Sequence, residues 1–280
     1  MRTNLSSQIT LNRVSTKYYK PENAVERSVL TRFEKVPTDI YESVDEGVCH
    51  IANQIAGKIQ DRQREGKFFV IGAGTGASLR PLYAELVRKH KDEGLSFRNV
   101  VIFNLYEYYP LAPESAGSSF TQLKDLFVDQ IDIDKQNVFT IDGSIPQEAI
   151  LEYCRLYEQR LQTFGGMDIV LMGIGREGNI AMNEPGSNLN SPTRLILMNA
   201  TSKAEAGHNL GIDNLPPCSI TMGVSTIMGA RKIYLLAWGE NKADIIRKAV
   251  EEKVSDALPA SYLQMHNNVK VCIDLSAAAH

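Results

Sequence analysis

A chain of 280 residues, 43% hydrophobic and 22% charged, is long enough to bury one sizeable α/β core without disulfide or metal staples, so a single domain is expected. Its formal net charge of -3 gives no general attraction to polyanions, which excludes nucleic acid as an expected partner and leaves any phosphate to a local site. The cysteines Cys49, Cys154, Cys218 and Cys272 stand in apolar segments without a Cys-x-x-Cys pair, residues 1–10 lack an apolar signal region, and no run approaches the ~18 apolar residues of a spanning helix. Reduced, buried thiols, no metal, no membrane contact and a cytoplasmic location follow as expectations.

Residues 1–45 are polar, carry Pro21 and Pro37 and show little periodicity. They read as an N-terminal extension that wraps the domain or contacts a partner subunit, with residues 46–280 as the domain itself. Val48, Ile51, Ala52, Ile55, Ala56 and Ile59 have the spacing of a helix with one buried face. A buried strand is predicted over 68–71, a second helix from Leu79, Leu82, Tyr83, Leu86 and Val87, and another strand over 100–103. Ser144-Ile-Pro-Gln147 has the form of a capping box, opening a helix marked by Ile150, Leu151, Cys154, Tyr157 and Leu161. Strands over 168–172, 233–238 and 269–273 complete the series, with a helix carrying Ile245, Ile246, Ala249 and Val250. This alternation predicts an α/β fold, a doubly wound, mainly parallel Rossmann-like sheet with helices on both faces and its site at the carboxyl ends of the strands.

Two loops carry the chemistry. After the strand at 68–71 comes Gly72-Ala-Gly74-Thr75-Gly76-Ala77-Ser78, entering a helix. Glycines let the backbone approach a ligand, a helix start favours an anion, and Thr75 and Ser78 add hydroxyl donors, so a phosphate fits. The glycines alone are equally those of a tight turn, and they also satisfy the dinucleotide fingerprint Gly-x-Gly-x-x-Ala. A ribose-binding acid is then expected about 20 residues on, whereas the second strand ends at Asn104 and Glu107 lies about 30 residues beyond the loop. The second loop, Gly173 to Pro185, holds Glu177, Asn179 and Glu184 ahead of an Asn-Glu-Pro turn. Tyr106, Tyr108 and Tyr109, between the two, read most simply as an aromatic cluster at the sheet edge.

The stretches 68–78 (FFVIGAGTGAS), 103–111 (FNLYEYYPL) and 172–186 (MGIGREGNIAMNEPG), with 221–225 and 261–266, resemble the glucosamine-6-phosphate deaminase family, relatives of the 6-phosphogluconolactonases, over about residues 48–276. The resemblance implies conversion of glucosamine 6-phosphate to fructose 6-phosphate and ammonia, without a cofactor, in a homo-oligomer. Thr75-Gly76-Ala77-Ser78 matches the family phosphate loop, with Gly74 and Gly173 beside it. Lys242 matches a phosphate-contacting Lys, and His208 stands where the family places a phosphate-binding Arg. Arg194 matches an Arg of an allosteric site whose second basic residue is Ile196 here. The catalytic positions are altered. Tyr106 replaces the Asp that moves the proton between C1 and C2, and Glu177, Asn179 and Glu184 stand for the Asp, His and Glu of the ring-opening relay. A phenolate at neutral pH requires a depression of roughly 3 pKa units, or about 4 kcal/mol, which leaves Glu107 as the substitute base. The expectation is an impaired isomerase/deaminase, with a non-catalytic sugar-phosphate-binding or structural module and a dinucleotide-binding protein as alternatives. The ending LSAAAH lacks the helical tail that many family members carry, consistent with one half of a longer polypeptide.

Overall fold

The computed structural model describes residue 25, residues 33–210 and residues 215–278. Most of the expected N-terminal extension, residues 1–24 and 26–32, lies outside the described residues. Strands β2 (Phe69–Ala73), β3 (Val100–Asn104) and β6 (Ile169–Met172) are buried along their whole length, as strands covered on both faces must be. Alternate side chains of β2 explain the two layers. Phe69, Ile71 and Ala73 pack with helix α1 (Val44–Arg64) through Ile51, Ile55 and Ile59, and with α2 (Arg80–Glu93) through Leu82 and Leu86. Val70 points the other way, into a core holding Cys154, Tyr157 and Leu161 of α4 (Ile150–Thr163) and Ile246 and Val250 of α7 (Ala243–Glu251). Helices therefore cover both faces.

With β1 (Thr38–Tyr41), β5 (Val138–Phe139), β9 (Ile233–Ala237) and β10 (Val269–Asp274), these strands form a seven-stranded parallel sheet in the order β1-β10-β9-β6-β2-β3-β5. From β2 the chain winds outward through β3 to β5, then returns to β6 on the other side of β2 and winds to β9 and β10. The reversal lies between β2 and β6, and it leaves their carboxyl-end loops side by side.

The end of the expected extension is part of this sheet. β1 pairs in parallel with β10 as the edge strand, and Lys270 Nζ holds the Asp39 carboxylate at 2.9 and 3.0 Å. An edge strand with a charged outer side shows no apolar run, which is why the pattern did not reveal it. Other local differences have equally local causes. Helix α1 starts at Val44, ahead of its apolar stripe, because Ser43 Oγ accepts from Glu46 N at 3.2 Å and Glu46 Oε2 accepts from Glu42 N at 2.7 Å. At Ser144 no capping box forms. Ser144 N and Oγ instead donate to Asp142 Oδ1 at 2.8 and 2.6 Å, and a 3-10 turn over Gln147–Ala149 leads into α4, on which Leu151 is exposed. Among the thiols, Cys154 and Cys272 are buried, and burial pushes them up to about 11 and about 12, whereas Cys49 is exposed.

A second, three-stranded antiparallel sheet, absent from the sequence pattern, joins β4 (Tyr106–Tyr109), β8 (Cys218–Thr221) and β7 (Arg194–Leu197) in that order. Its strands are too short to register as alternation, and β4 follows β3 after the single residue Leu105. Helices α3 (Ser119–Leu126), α5 (Ala200–Leu210) and α6 (Val224–Met228) complete the described elements used below.

At the opposite, amino end of the sheet, the buried Asp168 carboxylate accepts from Arg62 Nη2, from Arg231 Nη1 at 3.3 Å and from Val70 N at 2.9 Å. Asp168→Ala leaves the buried Val70 amide without its acceptor and takes the carboxylate from two partly exposed guanidinium groups that keep other partners. It is expected to lower unfolding stability by about 2 kcal/mol in urea titrations, the usual cost of an unsatisfied buried donor.

Candidate functional site

A cavity of about 510 Å³ opens at the carboxyl ends of β2, β3, β6 and β9. Its floor is the loop after β2. Gly74 N donates to Leu171 O at 2.9 Å, and a Cβ on Gly74 would stand 3.1 Å from that same oxygen, so the bare backbone lets β2 and β6 stay together here. A Cβ on Gly76 would meet nothing within 4 Å, so at that point the loop faces open space. Ala77–Leu79 forms a 3-10 turn running into α2, which places the positive end of a helix at the cavity. Gly74, Thr75, Gly76, Ala77 and Ser78 all line it, as do Gly173, Tyr106, Asn179, His208 and Lys242. Topology alone thus gathers ten positions singled out from sequence.

Thr75 is not a free donor. Its buried hydroxyl lies 2.9 Å from Tyr106 Oη and 2.9 Å from Ser119 Oγ. Tyr106 itself is 8% exposed, and burial raises its phenol above the ordinary value, with the Thr75 hydrogen bond only partly opposing. It is a neutral phenol at any physiological pH.

Glu107 does not substitute for it. It is fully buried and absent from the cavity lining, because β4 alternation turns it away from Tyr106. Its Oε1 accepts from Tyr108 N at 2.9 Å and Ser119 N at 2.8 Å, and its Oε2 from Ser118 Oγ at 2.7 Å and Phe120 N at 3.0 Å. Three of these donors, on Ser118, Ser119 and Phe120, are the start of α3, so Glu107 anchors a helix N-terminus. Burial nonetheless holds its carboxyl above the usual range, with the same donors pulling it down. The dinucleotide alternative loses its ribose acid on the same evidence, since Asn104 is buried with Nδ2 donating to Tyr106 O at 3.0 Å.

The relay positions are split. Glu177 and Glu184 do not line the cavity but meet behind it, where Asn199 Nδ2 donates to Oε2 of both, at 2.7 Å to Glu184. Ser202 Oγ adds a bond to Glu184 Oε2 at 3.0 Å. Burial first, and the Glu177 charge after it, push the Glu184 carboxyl upward. Asn199 was missed in the sequence, although its signal was there: its Oδ1 accepts from Ser202 N at 2.8 Å as the cap of α5. Asn179 is 6% exposed, lines the cavity, and has a buried Oδ1 with no hydrogen-bond partner. Gly175 makes room for it, since a Cβ there would lie 1.8 Å from that oxygen.

The loop that carries these residues is held rigidly. Ala181 sits at φ 49, a left-handed conformation unusual for a residue with a Cβ. Arg194 donates to Asn183 Oδ1 at 2.8 Å and Ser187 Oγ at 2.9 Å, and Asn183 Nδ2 to Met222 O at 2.9 Å. Arg194, matched from sequence to an effector site, here braces the Asn-Glu-Pro turn.

Opposite the glycine loop, Lys242 Nζ donates to Ile174 O at 2.9 Å and to Glu205 Oε1 at 3.0 Å. His208 lies exposed near the end of α5 and lines the same cavity. Arg80, Arg176, Glu205 and Trp238, with Gln122, Ser202 and Asn241, add to the wall and were not foreseen. Arg80 had a signal, its place two residues past Ser78 of the glycine loop, while the others come together only through folding. Among the described residues no group of three or more His, Cys, Asp or Glu side chains is placed to hold a metal, and no helix is long and apolar enough to cross a membrane.

The family described as glucosamine-6-phosphate isomerases/6-phosphogluconolactonase matches residues 42–272. A glucosamine-6-phosphate deaminase-like protein of Bacteroides thetaiotaomicron is 62% identical over 279 residues, 99% of this chain, which spans only 42% of that relative's length. Glucosamine-6-phosphate deaminase 1 of Bacillus subtilis is 37% identical over 229 residues, covering 81% of this chain and 94% of the relative. A solved monomeric glucosamine-6-phosphate deaminase superposes with a TM-score of 0.82 at 32% identity, covering 86% of this chain and 98% of its own. The 6-phosphogluconolactonase of Trypanosoma brucei shares the fold at a TM-score of 0.69 and 19% identity, covering 88% and 98%.

Glu107→Ala leaves its four donors unsatisfied, and a loss of about 3 kcal/mol in chemical denaturation is expected from that desolvation. Tyr106→Phe removes one bond from Thr75, which keeps Ser119, so the expected loss is about 1 kcal/mol. The contrast between these neighbours, measured side by side, separates a helix anchor from a cavity wall.

Proposed function

Because the chain belongs to the glucosamine-6-phosphate isomerase/6-phosphogluconolactonase family, we propose that its cavity binds a hexosamine 6-phosphate and that conversion of glucosamine 6-phosphate to fructose 6-phosphate and ammonia is strongly impaired in it. The phosphate seats on the loop from Gly74 to Ser78 at the start of α2, with Lys242 and Arg80 as the cations at hand and the His208 imidazole beside them. The sugar then extends toward Tyr106 and Asn179.

One observation carries the impairment. Among the described residues, Glu205 is the one carboxylate that lines the cavity, and it is paired with Lys242. Isomerisation carries a proton between adjacent sugar carbons and needs a base that titrates near working pH. Tyr106, a buried phenol bonded to Thr75, does not supply one. Ring opening needs a proton at the ring oxygen, and the Asn179 amide exchanges none near neutral pH. Residual turnover would reach Glu184 only through Ser202, which lines the cavity and donates to Glu184 Oε2 at 3.0 Å; burial holds that carboxyl above the usual range. A non-catalytic sugar-phosphate module is the second reading, favoured by the buried phenol of Tyr106 and the amide of Asn179 at the cavity wall, neither of which exchanges protons near neutral pH. The self-association expected from sequence belongs to this proposal, and sedimentation measures it.

Ammonia release from glucosamine 6-phosphate, assayed beside calorimetric binding of the same sugar, tests the proposal. Turnover at least about 10²-fold below that of a family deaminase is expected, the usual worth of one acid/base group. Tyr106→Asp with Asn179→His is expected to raise activity more than either change alone, because groups acting in one mechanism are not additive. Robust wild-type turnover would overturn the impairment.

Ser78→Asp places like charge in the phosphate nest and is expected to abolish binding of glucosamine 6-phosphate. Unchanged affinity in calorimetry would remove the phosphate from this loop.

A further inference from the structure

Lys242, the cation best enclosed by the cavity wall, is already occupied by an anion of the protein itself. Its side chain is 12% exposed and that of Glu205 is 18% exposed, with Nζ and Oε1 3.0 Å apart. The other Glu205 oxygen, Oε2, accepts from Arg176 N at 3.2 Å, and Arg176 Nε lies 3.9 Å from Oε1. A carboxylate held by an ammonium, a backbone amide and a nearby guanidinium occupies the place and the partners of a bound anion. It arrives there from α5, whereas Lys242 follows β9 and Arg176 follows β6. Nothing about the helix requires it: α5 has its own cap in Asn199.

We infer that Glu205 is an internal anion that occupies the Lys242 subsite and must be displaced before a ligand phosphate can reach that ammonium. The inference rests on the sugar-phosphate reading of the cavity and adds the residue that sets its affinity. A carboxylate tethered to the same fold competes at the millimolar effective concentration typical of short tethers. Any ligand that needs Lys242 is weakened by the fraction of molecules in which Lys242 is already committed. A phosphate monoester can still displace it, since it brings about two charges and three acceptor oxygens against one charge and two oxygens. Displacement removes the tie of α5 to Lys242 and Arg176 while the Asn199 and Ser202 bonds to Glu177 and Glu184 remain, so occupation of the subsite is coupled to how tightly that helix is held.

The test is isothermal calorimetry with glucose 6-phosphate, which has no amine to release, on the wild type, Glu205→Gln, Lys242→Met and the double variant. Glu205→Gln keeps the shape and the acceptor for Arg176 N while removing the charge, and about tenfold tighter binding is expected, which is the effect of ~1.4 kcal/mol. In the Lys242→Met background the same change is expected to alter affinity less than about twofold, because the two act as one unit. Glu205→Ala, carried alongside against misfolding of the first variant, is expected to tighten binding in the same direction. Without ligand, both single variants are expected to raise amide hydrogen exchange across Ala200–Leu210. Unchanged or weaker binding in Glu205→Gln and Glu205→Ala, with the wild type still binding, overturns the inference and leaves the sugar-phosphate reading standing. Tightening that persists in Lys242→Met assigns the effect to general charge and overturns the subsite. Absence of binding in all the proteins overturns the reading and the inference together.

Discussion

β2 and β6 run in parallel at the centre of the sheet, and the chain winds away from them in opposite directions. Glycines stand at the contact. A Cβ at Gly72 would come within 2.5 Å of Met167 Sδ, and one at Gly74 within 3.1 Å of Leu171 O, so side chains at these positions would force the Met167 side chain and the β6 backbone to give way. The loops after the two strands would then separate, and with them the glycine cradle on one side and the Glu177-Asn179 loop on the other. The placing of the glycine cradle beside the Glu177-Asn179 loop depends on that proximity, and the pairing of β6 with β9 in turn brings Lys242 within reach of Ile174 O.

On this frame the second sheet decides the polarity of the site. β4 presents Tyr106 and Tyr108 to the cavity and turns Glu107 into the protein, where it holds the start of α3. The alternation of a strand thus separates neighbouring residues into a wall and an anchor. Glu177 and Glu184 are likewise drawn behind the wall by Asn199, and the cavity surface presents a phenol, an amide, the His208 imidazole and cations with one internal counter-charge. Cations beside hydroxyls and amides suit an anion. Proton transfer needs groups that titrate near neutrality within hydrogen-bond reach, and neither Tyr106 nor Asn179 is such a group.

Much of this was legible in the residues. The apolar runs gave the buried strands and the two-sided packing, since a parallel strand covered on both faces has no polar alternation to hide it. The identities of Tyr106 and Asn179, on which the expectation of impairment rests, were equally plain, because a sequence fixes which side chain stands where even before its surroundings are known. The charged edge strand at Thr38–Tyr41, the short β4, β7 and β8, and the switch of Ser144 from helix cap to Asp142 partner left no comparable trace. Each depends on a partner supplied by a distant or competing segment rather than on its own pattern.

The sequence by itself determined the fold class, the family and the chemical identity of the groups at the site, because hydrophobic periodicity, loop glycines and motif residues are local properties. Only the tertiary structure decided what those groups do. It placed Glu107 in a helix anchor, bound Thr75 to Tyr106 and Ser119, joined Glu177 to Glu184 through Asn199, and set Glu205 on Lys242. The physical reason is the same in each case: a carboxylate or hydroxyl takes its role from its burial and its nearest donor. In this protein those donors come from other elements of the fold.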